Sequence, residues 1–229
     1  MKYLKKICPI AMLSAVLLMG NVLNSQAQNF EGIIYYQFAE MEQSGMDELE
    51  YMIKDENIRI QFGEGQHQGA MIFIPESSKM LFVLENMKSY MAIDMNEWAD
   101  QEVADEEWQE SDYQKTGGTK EIAGYTCEVW EISNQEGDEL SMCMAEGMGT
   151  FMTPGNPMAR QNAPEWAKKI SSEGFMPLEV IEKSANGESI TQLRANRIEE
   201  QALESSLFKA PNGYKDMSSM MEQMMKHNN

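Results

Sequence analysis

The chain has 229 residues, 37 of them acidic and 18 basic, for a formal net charge of −19, and 42% of its residues are hydrophobic. Such a balance argues against nucleic acid and anionic membrane surfaces as partners, because binding them draws mainly on Lys and Arg neutralising phosphates. The length suits one domain with a sizeable core.

Residues 1–27 read as a cleavable secretory signal: Lys2, Lys5 and Lys6, an apolar run from Ile7 to Met19, and a small-x-small end at Ser25-Gln26-Ala27. The run is shorter than the roughly 20 apolar residues a spanning helix needs. Cys8 precedes most of that run, so it does not mark a lipidation site. Export to the periplasm or outer membrane is the expectation. Removal of three lysines and no acid takes the net charge from −19 to −22.

Strand signals dominate the remainder of the chain. Phe30 to Phe38 is rich in Ile and Tyr. Leu49, Tyr51 and Ile53 alternate with charged residues, and Ile58, Ile60 and Phe62 alternate with Arg59 and Gln61. A period of two marks half-buried antiparallel strands. Ala70 to Ile74 and Met80 to Leu84 are apolar on both faces, which requires cover on both sides: helices, another sheet or a ligand. Ser89 to Ile93 comes after a turn at Glu85-Asn86-Met87-Lys88.

Glu97 to Asp112 holds eight acids, no base and two tryptophans, Trp98 and Trp108. A calcium loop needs regularly spaced acids around a central Gly, and this run has no Gly. It reads as a solvated insert or short helix tethered by its tryptophans. Tyr113 to Thr116 and Thr119 to Ile122 flank Gly117-Gly118, which reads as a turn. Val129 to Ile132 and Leu140 to Met144 form a second hairpin around Asn134-Gln135-Glu136-Gly137, bringing Cys127 near Cys143. In an oxidising compartment these two form a cross-strand disulfide, worth about 3 kcal/mol for a loop of this size, or else stay as buried thiols.

Gly147 to Ala163 reads as irregular. Pro164 to Lys169 suits a short helix with Pro at its first position. Met176 to Lys183 and Ser189 to Ile198 flank Asn186-Gly187, a two-residue hairpin signal. Leu207-Phe208 and Pro211-Asn212-Gly213-Tyr214 close the fold. The count is about ten strands and two or three short helices, in a domain spanning 28–215, with a Met-rich tail over 216–229.

Catalytic signals are sparse. His67 lies in a Gly-Gln loop and His227 near the end, and neither position promises the rigid imidazole that nucleophilic catalysis needs. Acids are everywhere and no pair stands out. The reading is non-catalytic, with no cofactor. Methionine is abundant, 22 in all. Met217, Met220, Met221, Met224, Met225 and His227 have spacings that put several soft ligands on one helix face. That pattern suits copper(I), and equally an ordinary apolar helix face. Met142 and Met144 share a strand face with Leu140, and Trp130 and Ile132 can join it. This is ordinary core or the wall of an apolar cavity.

Four stretches together carry a family resemblance. They are Phe30-Glu31-Gly32-Ile33-Ile34-Tyr35-Tyr36, Lys115 to Cys127 with its Ile122-Ala123-Gly124-Tyr125-Thr126-Cys127, Gly174-Phe175-Met176-Pro177-Leu178, and Leu207 to Lys215. The chain resembles a family of secreted bacterial proteins known as domain of unknown function 4412. That family is similar to the LolA-like outer-membrane lipoprotein carriers. The resemblance implies a mainly β fold: an incomplete antiparallel β-barrel with a few short helices on its concave side, and a hollow that receives acyl chains. No lipid-gating motif of the carriers can be placed here. The expected function is therefore an exported binding protein that holds a lipid, acyl chain or other apolar ligand, with Phe73, Phe82, Trp130, Met142 and Met144 as its lining. A structural protein that contacts another envelope protein, and copper binding by the tail, are the alternatives.

Overall fold

The computed structural model describes residues 30–39, 48–63, 65, 68–95, 114–133, 137–149, 151 and 175–220. These form one open, mainly β sheet of twelve strands: β1 (Gly32–Phe38), β2 (Leu49–Lys54), β3 (Asn57–Phe62), β4 (Gly69–Ile74), β5 (Lys79–Leu84), β6 (Ser89–Asp94), β7 (Gln114–Ile122), β8 (Tyr125–Ser133), β9 (Glu139–Glu146), β10 (Phe175–Lys183), β11 (Ser189–Glu200) and β12 (Lys215–Asp216). Their spatial order is β12-β6-β5-β4-β3-β2-β1-β11-β10-β9-β8-β7. Every pairing is antiparallel except that of β12 with β6. Hairpins build both halves, and the long return of β11 beside β1 joins them.

The sheet is strongly curled. Neighbouring strands lie about 4.8 Å apart, so β1 and β8 would stand roughly 19 Å apart in a flat sheet. Yet the rings of Phe30, just before β1, and Tyr125, at the start of β8, have centroids 6.3 Å apart. Phe30 N–H also bonds Gly147 O, just past β9, at 3.4 Å. Tyr36 O–H on β1 reaches over β11 to donate to the carbonyl of Pro177 on β10, at 2.8 Å. Tyr36 lies on the concave side, because its side chain crosses β11 to reach β10. The inner face is thus the one carrying Ile34, Tyr36, Tyr51, Ile60, Met71, Trp130, Met142 and Leu178, all in one buried cluster.

The outer face of β1 to β5 is apolar as well, with Ile33, Met52, Ala70, Ile72, Leu81 and Val83 buried. Its cover is the chain's own C-terminal stretch. Leu203 and Phe208 are buried on that face, with Leu207 and Tyr214 packed beside them, and a 3-10 turn at Ser205–Phe208 delivers the contact. Polar bonds pin this strap along its length. Glu31 accepts from Lys54 Nζ at 2.5 Å and from Leu203 N–H at 2.6 Å. Arg59 Nη1 donates to Leu207 O at 3.2 Å and Nη2 to Gln61 Oε1 at 3.2 Å. Tyr214 O–H donates to Glu85, and Met217 N–H bonds Tyr90 O at 2.8 Å. The alternation in β3 suggests a half-exposed Arg59, but the strap buries it. Burial pulls its guanidinium below the usual range, against Glu85 and Glu50, which pull it back up.

Three local expectations are corrected. Gly117-Gly118 is a bulge inside one continuous strand, not a turn. Gly117 takes φ +73°, and Thr116 Oγ1 donates to Val129 O at 2.9 Å while accepting from Gly118 N–H at 3.1 Å. The two-residue turn sits instead at Ala123-Gly124, both with positive φ, between the paired Ile122 and Tyr125. At Asn186-Gly187 only Gly187 has positive φ, and Ser184 and Glu188 close a longer loop. Twelve strands replace about ten, the last being the short β12. The short 3-10 turn at Ser205–Phe208 lies on the outer face, so it is not one of the concave-side helices that the resemblance implies. Residues 1–27, the acidic run, His67 and the expected helix at 164–169 lie outside the described residues.

If the strap is what seals the outer face, Phe208→Ala should lower stability by about 3–5 kcal/mol, the usual cost of emptying a buried phenylalanine site. Lys209→Ala, at an exposed neighbour, should stay within about 0.5 kcal/mol of the parent. Urea unfolding measures both, and equal midpoints for parent and Phe208→Ala would remove the strap from the stability of the sheet.

Candidate functional site

The inner face has three regions. At its centre, Tyr36 and Tyr51 meet edge to face at 5.7 Å, and Phe151 stacks on Tyr51 at 6.0 Å and meets Tyr36 at 6.2 Å. Phe151 comes after β9 through Gly147 and Gly149, both at positive φ, which lets the chain leave the strand and fold back over the face. Burial, then the neighbouring Tyr51, hold the Tyr36 phenol well above the ordinary tyrosine range.

Toward β5 the face is half open. Phe62 and Phe82 stack at 5.7 Å, and both are half-buried. Gly69, opposite Phe62, makes room for the stack: a Cβ there would stand 2.8 Å from the Phe62 ring. Met71 and Met91 flank Phe82 in register on its two sides. This is a surface of two rings and the Met91 thioether, with the Met71 thioether buried beside them, and methionine side chains repack at low cost.

Toward β8 the face ends in a charged corner. Trp130 pairs with Met142 on β9 and with Lys115 on β7. Its ring meets Phe175 at 4.7 Å and 64°. Lys115 Nζ stands 4.5 Å from the Trp130 centroid and 5.0 Å from that of Phe175. Glu128 Oε2 accepts the indole N–H at 3.3 Å and lies 4.0 Å from the same ammonium.

The five lining residues expected from sequence all fall on this inner face, in two groups. Phe73 and Phe82 lie on β4 and β5; Trp130, Met142 and Met144 lie on β8 and β9, with five strands between the two groups in sheet order. Trp130, Met142 and Met144 are each 1% exposed and Phe73 6%, so only Phe82 presents surface. Sequence reasoning missed Phe62 as a partner of Phe82, although the alternation of β3 already placed it with Ile58 and Ile60. It also missed Lys115, Phe175 and Phe151. Finding these needs the register of β7 on β8 and the path of the chain after β9, neither of which leaves a periodic signal.

Cys127 and Cys143, which alternate with Trp130 and Met142 along β8 and β9, form the expected disulfide, with Cα atoms 5.3 Å apart. Cys143 lies in register with Glu179, and Glu179 with Arg194. The Glu179 carboxylate is buried and paired twice, with Lys120 from β7 and with Arg194 Nη1 at 2.6 Å. Burying it without such partners would be costly. Of the tail ligands, Met217 and Met220 end the strap, whereas Met221, Met224, Met225 and His227 lie outside the described residues. No group of three or more His, Cys, Asp or Glu suited to a metal occurs among the described residues. No helix among them is long and apolar enough to cross a membrane.

The model of one family, Domain of unknown function (DUF4412), matches residues 30–214. No curated protein matches the chain. Among solved structures, the chain is similar to an uncharacterized conserved protein from Thermus thermophilus, with a TM-score of 0.43, 10% identity, and coverage of 83% of this chain and 91% of that one. It is also similar to PNGF-II, with a TM-score of 0.43 and 13% identity, where the match covers 86% of this chain and 32% of that one.

Closure of the curl near its charged end can be checked by titration. Tyr125 O–H donates to Glu200 Oε1 at 2.6 Å, joining β8 to β11. Burial first, then that bond, push the phenol up to about 12. A folded value above the unfolded value of about 10 favours the neutral form. The stabilisation is therefore complete below about pH 10 and is lost as pH rises toward about 12. Melting temperature should fall across that window, less steeply in Tyr125→Phe than in the parent. Tyr35, Tyr36, Tyr90 and Tyr214 are shifted the same way, so some slope should remain. Identical slopes would mean that the bond to Glu200 is not made in solution.

Proposed function

We propose, for a chain that belongs to the family Domain of unknown function (DUF4412), an exported, non-catalytic binding protein of the periplasm or outer membrane that holds an acyl chain or similar apolar ligand on the concave face of its sheet. In this reading the curled sheet acts as an incomplete barrel like that of the LolA-like carriers. The observation that carries it is the half-open stretch of the inner face, where Phe62 stacks on Phe82, itself flanked by Met71 and Met91, and the rings lead without a polar break into the buried centre. Acyl-chain burial gains about 0.8 kcal/mol per methylene, which must exceed an association cost of about 4–15 kcal/mol. Long chains should therefore bind and short ones should not.

One observation favours a second reading. Trp130, Met142 and Met144 are already shut from solvent, and Tyr36, Tyr51 and Phe151 fill the centre. A hollow filled by its own side chains suits a scaffold that contacts another envelope protein. A copper(I) role for the tail ranks third, and equal copper uptake by the full chain and by a chain ending at Asp216 would dismiss it.

Native mass spectrometry of the full chain with palmitate and with phosphatidylethanolamine decides between the first two. A stoichiometric adduct, weakened about tenfold in Phe82→Asp, is the expected result, since a buried phenylalanine contact is worth roughly 1.5–3 kcal/mol. A bare mass, with no rise in melting temperature on adding either lipid, overturns the reading in favour of the scaffold.

A further inference from the structure

The charged corner of the inner face has the parts of a receptor for an organic cation. Two aromatic rings, Trp130 and Phe175, stand at 64° to one another with centroids 4.7 Å apart and so form two walls. A carboxylate, Glu128, supplies the third, held in place by the indole N–H at 3.3 Å. The negative faces of aromatic rings attract ammonium groups, and such cages are how proteins select alkylated ammonium ions. The corner already holds a cation: Lys115 Nζ, 4.5 Å and 5.0 Å from the two centroids and 4.0 Å from Glu128 Oε2.

That occupant is loosely held. The Lys115 and Glu128 side chains are 58% and 56% exposed, and ion pairs this exposed contribute little. At 4.0 Å the pair is at the outer limit of direct contact. Lys115 also sits on β7, the edge of the sheet, where every residue from Gln114 to Glu121 is exposed. Its stem can swing outward without disturbing the core. The Trp130 ring beneath it cannot move as freely, because it is buried against Met142 and the rest of the inner cluster. The Trp130 wall is therefore held by the core, whereas the exposed Lys115 side chain is not.

We propose that the Trp130–Phe175–Glu128 corner is a binding site for a methylated ammonium group, closed in the free chain by the protein's own Lys115 ammonium. A quaternary ammonium fits better than a primary one. It is less strongly hydrated, so it loses less on leaving water, and its methyl groups cover both rings at once. The net charge of −19 draws cations toward the chain. The site does not depend on the acyl-chain reading, since the recognised group is the cation alone.

The test uses tetramethylammonium chloride on the full chain, with sodium chloride of equal ionic strength as the reference. Proton NMR of the methyl groups reports the ring currents of Trp130 and Phe175, which diffuse attraction to an acidic surface would not produce. Lys115→Ala and Lys115→Gln remove the internal competitor from an exposed position; the second guards against any loss of β7 order in the first. We expect a saturable upfield shift in all three proteins, with binding about tenfold tighter in both variants than in the parent. Adding Glu128→Gln to Lys115→Gln should reverse most of that gain. Unsaturable shifts that are equal in parent and variants, or binding no tighter without Lys115, overturn the proposal and leave Lys115 as a cap on Trp130.

Discussion

Tyr36 carries a hydroxyl into a face where almost every neighbour is apolar, and leaving it unpaired there would cost about 1–3 kcal/mol. Its partner is Pro177 O, two strands away. A bond over an intervening strand forms only when the sheet is bent, so it ties the orientation of one phenol to the curvature of the whole fold. Pro177 suits the acceptor role. It has no N–H to give to a ladder, the pairing of β10 with β11 begins only at Glu179, and the register with β9 slips between Pro177 and Glu179. Proline is tolerated in a sheet at such irregular places. The same curvature brings Phe30 against Tyr125 and Tyr125 against Glu200, and it gives the sheet an inside.

A sheet with an inside still has an outside, and the outside of β1 to β5 is too apolar to be left wet. The chain solves this with its last described stretch. Leu203 and Phe208 enter the outer cluster, and the polar groups along the strap are matched by groups the strands already carry. Arg59 shows the compromise. Its guanidinium serves Leu207 O and Gln61 and lies 3.7 Å from Glu85, yet Nε finds no partner among the described residues. A long cation with an apolar stem can span from β3 to the strap backbone at the cost of one unmet donor, which a shorter neutral side chain at that position would not do.

Periodicity made much of this legible. The alternations of β2 and β3 name their inner-face residues, and the two-faced apolarity of β4 and β5 demanded cover on both sides. What it left open was the identity of the cover. Leu207 and Phe208 were visible as a closing segment, but nothing in a stretch with no repeat says which face it will lie on. Turn chemistry was legible only in part. Gly117-Gly118 has the composition of a turn and acts as a bulge, because Thr116 bonds across to Val129 and keeps the strand paired. The lining residues were found as types, large and apolar on one face of a strand. Their division into a closed group and an open one depends on Phe151 and Phe175, which reach the face from irregular or distant parts of the chain.

That division bears on how a ligand would enter. At the β5 end, admitting an apolar molecule means parting two half-buried rings, a contact worth about 0.5–1.5 kcal/mol beyond burial, with flexible methionines on both sides to refill the space. At the β8 end, exposing Trp130 to water would forfeit several times that through lost burial alone, so apolar entry there is disfavoured. Only a group that replaces the Lys115 ammonium in kind, keeping the ring faces covered and Glu128 paired, avoids that loss. The two ends would therefore suit different chemistry. In the proposed readings an apolar body would enter where the face is soft, and a positive head would bind beside the buried Trp130, where a cation already stands. A single amphiphile with an alkylated ammonium head could satisfy both ends only if its chain ran along the inner face past Tyr36, Tyr51 and Phe151. Those three rings, rather than either mouth, then decide whether the two sites act together or separately.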